Sequence, residues 1–159
     1  MGGVSNSNIS GDKSENPIGG AGRDFWIIRT DLNGNILWEN TIGTSSMWGD
    51  QIFDLDIASN GGFIITGNTD AGIDNDKTEA SNGANDFWII KLSETGIIEW
   101  DKSIGGSGQD FPYALTADTD GGYVVSGESG SPISGQKSQA VLGGGSDYWV
   151  IKLDVNGNF

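Results

Sequence analysis

The chain has 159 residues, 27 of them glycine, with no cysteine, no histidine and a formal net charge of −14. The missing cysteine and histidine exclude a disulfide framework, thiolate chemistry, Ser-His-Asp catalysis and ordinary zinc sites. The negative charge opposes binding to nucleic acid and to anionic lipid, and no apolar run approaches the roughly 20 residues of a membrane-spanning helix, so neither partner is expected.

The chain opens with a polar segment, residues 1–23, which lacks the basic and apolar regions of a signal peptide. Its glycine and serine content predicts a loop. Part of this segment recurs, with substitutions, further along the chain. The equivalent segments are Ile9-Ser10-Gly11-Asp12-Lys13, Ile73-Asp74-Asn75-Asp76-Lys77 and Ile133-Ser134-Gly135-Gln136-Lys137. The loop is therefore predicted to belong to a repeated unit.

The first predicted strand runs from Asp24 to Thr30. Phe25 and Ile27 share one of its faces, while Trp26 and Ile28 share the other. Both faces are apolar, and a strand of this kind has to be covered on both sides. Other layers are therefore expected to pack above and below its sheet.

Three more strands follow, separated by short turns. Asn33-Gly34 predicts a hairpin with a type I′ turn, in which both residues adopt positive φ, before a second strand at 36–42. A glycine turn at 60–62 predicts a second hairpin, between strands at 51–58 and 63–67. Alternation in the third strand predicts Phe53, Leu55 and Ile57 on one face and Ile52, Asp54 and Asp56 on the other.

This unit is repeated, because Asp24-Phe25-Trp26-Ile27-Ile28 returns at 86–90 and, with conservative changes, at 147–151, at spacings of 62 and 61 residues. Tandem four-stranded antiparallel units that are apolar on both faces are typical of β-propeller blades. We expect an all-β chain of about two and a half repeats of ~61 residues, with blade 1 at 24–69, blade 2 at 86–129, the start of blade 3 at 147–159, and inter-blade loops at 70–85 and 130–146. A ring typically needs roughly four to eight blades. The chain is therefore expected either to be part of a longer propeller, completed by further blades of the parent protein, or to close its ring by self-association.

Several motifs together resemble a known family. They are Gly11-Asp12-Lys13-Ser14-Glu15, the Asp-Tyr/Phe-Trp-Ile/Val-Ile strand, Asn156-Gly157-Asn158, Gly105-Gly106-Ser107-Gly108 and Asp120-Gly121-Gly122-Tyr123. The pattern is similar to the propeller-like repeats of large secreted Bacteroidetes proteins, which usually carry a C-terminal sorting domain for type IX secretion. The resemblance implies a secreted or cell-surface location, neighbouring adhesion or polymer-binding modules, and no catalytic residues.

Two patterns suggest calcium, which prefers oxygen ligands on sharply bent loops. The denser one comprises Asp70, Asp74, Asp76 and Glu79. The equivalent loop of the next repeat has Ser134, Gln136 and Gln139 instead, so the carboxylates are not needed to form the loop. The second pattern, Asp31-x-Asn33-x-Asn35, lacks the acidic residue expected at position 42, and a hairpin turn explains it as well.

Trp48 is the candidate contact for a ligand or partner. It lies in a loop, and the second repeat has only Gly106-Ser107-Gly108-Gln109 in its place. Loop aromatics without a packing role are frequent in binding sites. The other recurring tryptophans alternate along strands, which predicts packing, and the recurring Lys13, Lys77 and Lys137 are predicted to lay their stems on apolar surface with the ammonium near carboxylates or carbonyls.

Three functions are compatible with these features. The leading hypothesis is a non-enzymatic scaffold, adhesion or protein-interaction module. The alternative is a glycan-binding propeller, with Trp48 and nearby carboxylates as its site and a polysaccharide or surface protein as its partner. A glycoside hydrolase would need two converging carboxylates, but the recurring aspartates lie in turns or at strand starts, where turn bonding explains them.

Overall fold

In the computed structural model, the described residues are 1–19 and 22–159; Gly20 and Ala21, within the predicted segment 1–23, lie outside them. The described residues form ten strands and no helix, which confirms the all-β prediction. The strands are β1 (Gly2–Ser5), β2 (Asp24–Thr30), β3 (Ile36–Ile42), β4 (Gln51–Ile57), β5 (Phe63–Thr69), β6 (Asp86–Leu92), β7 (Ile98–Ile104), β8 (Asp110–Ala117), β9 (Tyr123–Ser129) and β10 (Asp147–Leu153). Within these residues, nothing resembles a helix able to cross a membrane.

The strands form three antiparallel sheets. The N-terminal sheet has the order β1-β2-β3, the central sheet β4-β5-β6-β7 and the C-terminal sheet β8-β9-β10. They do not close into a ring. The described chain is therefore a row of sheets, with one complete four-stranded sheet between two three-stranded ones.

The sheets group the strands differently from the predicted blades at 24–69 and 86–129. β3 and β4 follow each other in sequence but belong to different sheets, while β5 pairs with β6 along its full length across the loop 70–85. The entropy of closing a loop rises only slowly with its length, so the long connection does not prevent this pairing. The four-stranded sheet begins at β4, whereas the predicted blade begins at β2.

β1 corrects the prediction that residues 1–23 are loop. Its register on β2 places Gly3 opposite Trp26, as the register of β5 on β6 places Gly67 opposite Trp88. β1 therefore takes the place in the N-terminal sheet that β5 takes in the central one. The signal was present in the sequence, because Gly2-Gly3-Val4-Ser5 aligns with Thr66-Gly67-Asn68-Thr69.

Two apolar clusters hold the sheets together. One lies between the N-terminal and central sheets and includes Phe25, Ile27, Trp88 and Ile90. The other lies between the central and C-terminal sheets and includes Phe87, Ile89, Tyr123 and Ile151. All seven residues of β6 are buried, as expected for a strand covered on both faces. By contrast, β2 and β10 are covered by a neighbouring sheet on one face only, and their other faces form the two ends of the row.

Two local predictions are wrong. A bulge between Ile52 and Asp54 shifts the alternation of β4, so Ile52 and Leu55 both pack against the N-terminal sheet. The hairpin at Asn33-Gly34 is not a type I′ turn, because of the two residues only Gly34 has positive φ, at 86°. The turn is a three-residue loop closed by the Gly34 N–H on the carbonyl of Asp31, which needs only one left-handed residue.

Candidate functional site

The four carboxylates predicted to bind calcium do not converge. Asp70, Asp74 and Asp76 accept hydrogen bonds from the loop that follows β3: Ser46 Oγ donates to Asp70 at 2.6 Å, Ser45 N to Asp74, and Gly43 N to Asp76 at 3.0 Å. Glu79 instead accepts from Ser103 N at 3.0 Å and pairs with Lys102 at 2.7 Å. Nowhere in residues 1–19 and 22–159 do three or more acidic side chains group as metal ligands would.

The matching loop 130–146, which connects β9 to β10 in the C-terminal sheet, makes the same connections with neutral side chains. Gln136 Oε1 accepts from Gly105 N at 3.2 Å, and Ser134 Oγ accepts from Ser107 N at 2.8 Å. These positions are equivalent to Asp76 and Asp74. Their shared function is therefore to join the loop to the preceding repeat.

The Asp31-x-Asn33-x-Asn35 pattern also forms internal bonds. Asp31 Oδ1 accepts from the backbone N–H groups of Asn33 and Asn35, and its Oδ2 accepts from the Asn35 side chain at 2.8 Å. Ser93 makes the equivalent backbone bonds in the second repeat. Side-chain bonding of this kind is typical of turns, and it lowers the pKa of Asp31.

Each region of contact between two adjacent sheets, called here an inter-sheet junction, contains two buried aspartates. One begins β2 or β6, and the other follows the glycine-containing loop after β3 or β7. At the first junction they are Asp24 and Asp50, and at the second Asp86 and Asp110. Asp86 and Asp110 lie beside Gly105, where an added Cβ would be 2.3 Å from Asp86 Oδ1 and 2.8 Å from Asp110 Oδ2. The close approach requires glycine at this position, as at Gly43, where a Cβ would be 2.2 Å from Asp24 Oδ1.

Burial perturbs these acids. The pKa of Asp24 and that of Asp86 are each raised to about 6, chiefly by loss of hydration, with a smaller contribution from the charge of Asp50 or Asp110. Burial also raises the pKa of Asp50. All four aspartates are buried, with at most 1% of their surface exposed.

The recurring lysines lie where the sequence predicted. Lys13, Lys77 and Lys137 are all buried. Lys13 Nζ donates to the carbonyl of Glu15 at 2.8 Å and lies 5.9 Å from the centre of the Trp26 ring. Lys77 Nζ donates to the carbonyl of Glu79, and burial lowers its pKa while the charges of Asp101 and Asp86 oppose that effect. Lys13 and Lys77 thus bind loop carbonyls and partly offset the charges of Asp24 and Asp86, whereas Lys137 Nζ lies 5.6 Å from the centre of the Trp149 ring.

Trp88 and Trp149 pack between adjacent sheets, as the prediction of blade packing requires. Trp88 is fully buried against Phe25, with ring centroids 5.2 Å apart, and its Nε1 donates to Asp101 at 2.9 Å. Trp149 makes the equivalent contact with Phe87, also at 5.2 Å. Trp26 occupies the same place in the N-terminal sheet but faces the open end of the row.

Two aspartates on β4 have a role that sequence reasoning missed. Asp54 Oδ2 accepts from Leu115 N at 2.8 Å, and Asp56 Oδ2 accepts from Ala117 N at 2.9 Å. Both donors lie on β8, the edge strand of the neighbouring sheet. The hydrogen bond from Ala117 lowers the pKa of Asp56. These carboxylates accept hydrogen bonds from backbone N–H groups of a strand edge that would otherwise be unpaired, and they join the central and C-terminal sheets. The alternating acids are visible in the sequence, but the bulge is not.

The two end faces of the row present different residues, whose equivalents in the central sheet are buried. The N-terminal end face is the outer side of the N-terminal sheet and has a groove of about 510 Å³ lined by Trp26, Ile28, Gly34 and Ile36, among others. The C-terminal end face is the outer side of the C-terminal sheet, where Tyr148 and Val150 are 95% and 63% exposed. Tyr148 and Val150 correspond to Phe87 and Ile89, which are fully buried in the central sheet.

Trp48, the candidate contact residue, is 84% exposed. It borders a cleft of about 540 Å³ whose other lining residues are Asp70, Gly83, Ala84, Asn85 and Gln109. The cleft therefore lies between the loop after β3, the loop 70–85 and the start of β8. Asp70 belongs to the predicted calcium set, and Asn85 and Gln109 were not singled out by the sequence.

No protein-family model matches the chain, and no curated protein matches it. The similarity to repeats of secreted Bacteroidetes proteins therefore stays a prediction based on the motifs themselves.

Proposed function

We propose that the chain is a non-enzymatic, β-propeller-type repeat module that serves as a scaffold or adhesion segment of a secreted or cell-surface protein, and that its two end faces bind each other in copies of the chain. The observation that carries this proposal is that each end face repeats the residues that pack inside the row. Location outside the cell rests on the motif resemblance.

The internal junctions specify what the end faces should bind. Phe25 packs on Trp88, and Phe87 packs on Trp149, with the same ring separation. The next pair in this series is Tyr148 of one copy on Trp26 of another. Stacking a second copy would cover Val150 with Ile28 in the same way, since their equivalents Ile27 and Ile90 share a cluster at the first junction.

A second contact, made by a tryptophan of one sheet on a turn glycine of the next, recurs at both junctions. Trp38 lies against Gly96, where an added Cβ would be 2.9 Å from its ring, and Trp100 lies against Gly157 with the same clearance. Gly34 is the equivalent of these glycines, but it has open space around its Cβ position. The N-terminal end face thus has the form of a half-completed junction, which a repeat carrying the equivalent of Trp38 would complete; within residues 1–159 the C-terminal sheet has no tryptophan at that position, so this contact is not one that a second copy supplies.

Head-to-tail contacts between unlike faces form rings when the rotation closes. Two copies together contain six sheets, within the range of roughly four to eight blades typical of propellers. The inner strands of adjacent sheets already approach closely, as the bonds from Asp54 and Asp56 to β8 require. A two-copy ring is therefore the assembly that we expect.

The disposition of the acids supports a non-enzymatic role. Glycosidases need two carboxylates that face the substrate across the scissile bond. Asp86 and Asp110 are close together but fully buried, and Asp70, Asp74 and Asp76 are engaged by backbone or hydroxyl donors. Their positions favour roles in folding over roles in catalysis.

Replacing Tyr148 by glutamate should abolish self-association. Tyr148 is almost fully exposed in one chain, so the substitution leaves the fold intact, but it places a charge against the Trp26 face in the assembly, where an unpaired buried charge is unfavourable. Light scattering should give twice the chain mass for the wild type and the single-chain mass for Tyr148→Glu.

The matched control is Ile133→Glu. Ile133 is exposed, and its equivalent Ile73 remains 72% exposed although it lies inside the row, so stacking does not cover this position. Ile133→Glu should assemble like the wild type. A wild type that is a single chain at every concentration, or a Tyr148→Glu variant that still assembles, would contradict the proposal and indicate that the end faces are covered by other repeats or by nothing.

A further inference from the structure

The loop that carries Trp48 is firmly held although its tip is exposed. Thr44 N donates to Asp50 at 2.6 Å, and Ser46 Oγ donates to Asp70 at 2.6 Å, which fixes both arms of the loop. The side chains of Met47 and Trp48 at the tip are 80% and 84% exposed. The shorter loop of the second repeat carries no aromatic residue, so neither packing nor sheet stacking requires Trp48.

The cleft beside Trp48 has the size and the polar groups of a ligand site. Its volume of about 540 Å³ lies within the range of roughly 300–1,000 Å³ of small-molecule sites. Asn85 Oδ1 accepts a hydrogen bond from Asn68 Nδ2 at 3.0 Å, which fixes the orientation of the Asn85 amide and leaves its NH₂ group as a donor. Asp70 uses Oδ1 for Ser46, and Oδ2 is a further acceptor. The exposed amide of Gln109 supplies both a donor and an acceptor.

This combination matches the chemistry of a sugar ring. A pyranose has a face of C–H groups, which packs on an aromatic ring, and a rim of hydroxyls, which bond to amides and carboxylates. Gly83 and Ala84 leave the floor of the cleft free of large side chains. The acid in the cleft and the chain charge of −14 disfavour an anionic ligand.

We propose that the Trp48 cleft binds a neutral or basic saccharide unit, with the ring stacked on Trp48 and its hydroxyls bound by Asp70, Asn85 and Gln109. The site lies on the loops and not on the end faces. Saccharide binding is therefore independent of self-association, and either activity can be lost without the other.

The test is isothermal titration calorimetry of the purified chain with cellotetraose, N-acetylchitotetraose, chitosan tetramer, mannotetraose and a heparin-derived tetrasaccharide. At least one neutral or basic oligosaccharide should bind, and the heparin fragment should not. For the best ligand, Trp48→Ala should weaken binding about 10- to 30-fold, as for an aromatic residue at the centre of a site, and Gln109→Ala should weaken it by a smaller factor.

Two control variants separate the possible outcomes. Met47→Ala changes the neighbouring exposed side chain outside the cleft and should leave the affinity unchanged. Tyr148→Glu should bind saccharide as well as the wild type does, whatever its state of assembly. The proposal is overturned if none of the neutral or basic oligosaccharides binds, or if the affinity of the best one is the same for Trp48→Ala and Met47→Ala.

Discussion

Trp88→Ala should lower the free energy of unfolding by about 3–5 kcal/mol, the usual cost of deleting a fully buried large aromatic side chain. The variant loses the contact with Phe25 and leaves Asp101 without the indole N–H that it accepts at 2.9 Å. Urea unfolding followed by circular dichroism measures the effect. The loss is a large share of the 5–15 kcal/mol typical of a folded domain, so the variant should unfold at a clearly lower urea concentration.

The repeats supply the controls for this substitution. Trp149 is partly buried against Phe87, and Trp26 faces the open end of the row. If sheet stacking is what makes the tryptophan important, a chain kept unassembled by Tyr148→Glu should lose most stability with Trp88→Ala, less with Trp149→Ala and least with Trp26→Ala. Equal losses at the three positions would show that local contacts within each sheet, and not burial between sheets, determine the effect.

Stability should depend on pH through the buried aspartates, and Asp86→Asn should remove part of this dependence. The pKa of Asp86 is raised from 3.8 to about 6, so the folded chain holds this proton more tightly than the unfolded chain. The resulting stabilisation is complete below pH 3.8 and is lost as pH rises through 6. A shift of this size corresponds to about 3 kcal/mol.

Asp86→Asn mimics the protonated acid, so the variant and the wild type should be similarly stable at pH 4. At pH 7 the variant should be more stable, by up to about 3 kcal/mol. Asp31→Asn is the control with the opposite sign: the pKa of Asp31 is lowered by its turn bonds, so this variant should lose stability at pH 7 and little at low pH. Parallel wild-type and Asp86→Asn stabilities from pH 4 to 7 would refute the account of the buried acids.

Much of the secondary structure could be predicted from the sequence, because repeated sequence motifs indicate repeated strands. The predicted bounds of β2 and β3 agree with the structure. Coverage on both faces, predicted for β2 and its repeats, is found at β6 but not at β2 or β10. The grouping of strands into sheets could not be predicted. In a periodic sequence, the repeated unit can be taken to begin at any of its strands. Only the pairing of β5 with β6 across residues 70–85 shows that the four-stranded sheet begins at β4.

Part of the candidate site could be predicted from the sequence. The loop position of Trp48 and its lack of a counterpart made it a candidate contact, and the neutral Ser134 and Gln136 indicated that the carboxylates are not needed to form the loop. The convergence of the cleft side chains on Trp48 could not be predicted from the sequence. Asp70, Asn85 and Gln109 are distant in sequence, and they meet Trp48 only because the three sheets stack. The bulge that directs Asp54 and Asp56 to β8 is likewise a tertiary feature.

The most direct test of the central claim, that the end faces bind each other, is site-specific cross-linking between copies. The chain has no cysteine, so Ile28→Cys and Val150→Cys each introduce a single thiol, one on each end face. A short bismaleimide should cross-link an equimolar mixture of the two variants efficiently, and either variant alone much less, because stacking brings position 28 of one copy to position 150 of the next. If the mixture cross-links no more than the separate variants, or no more than a mixture of Ile28→Cys with Ile133→Cys, the end faces do not meet and the account is wrong.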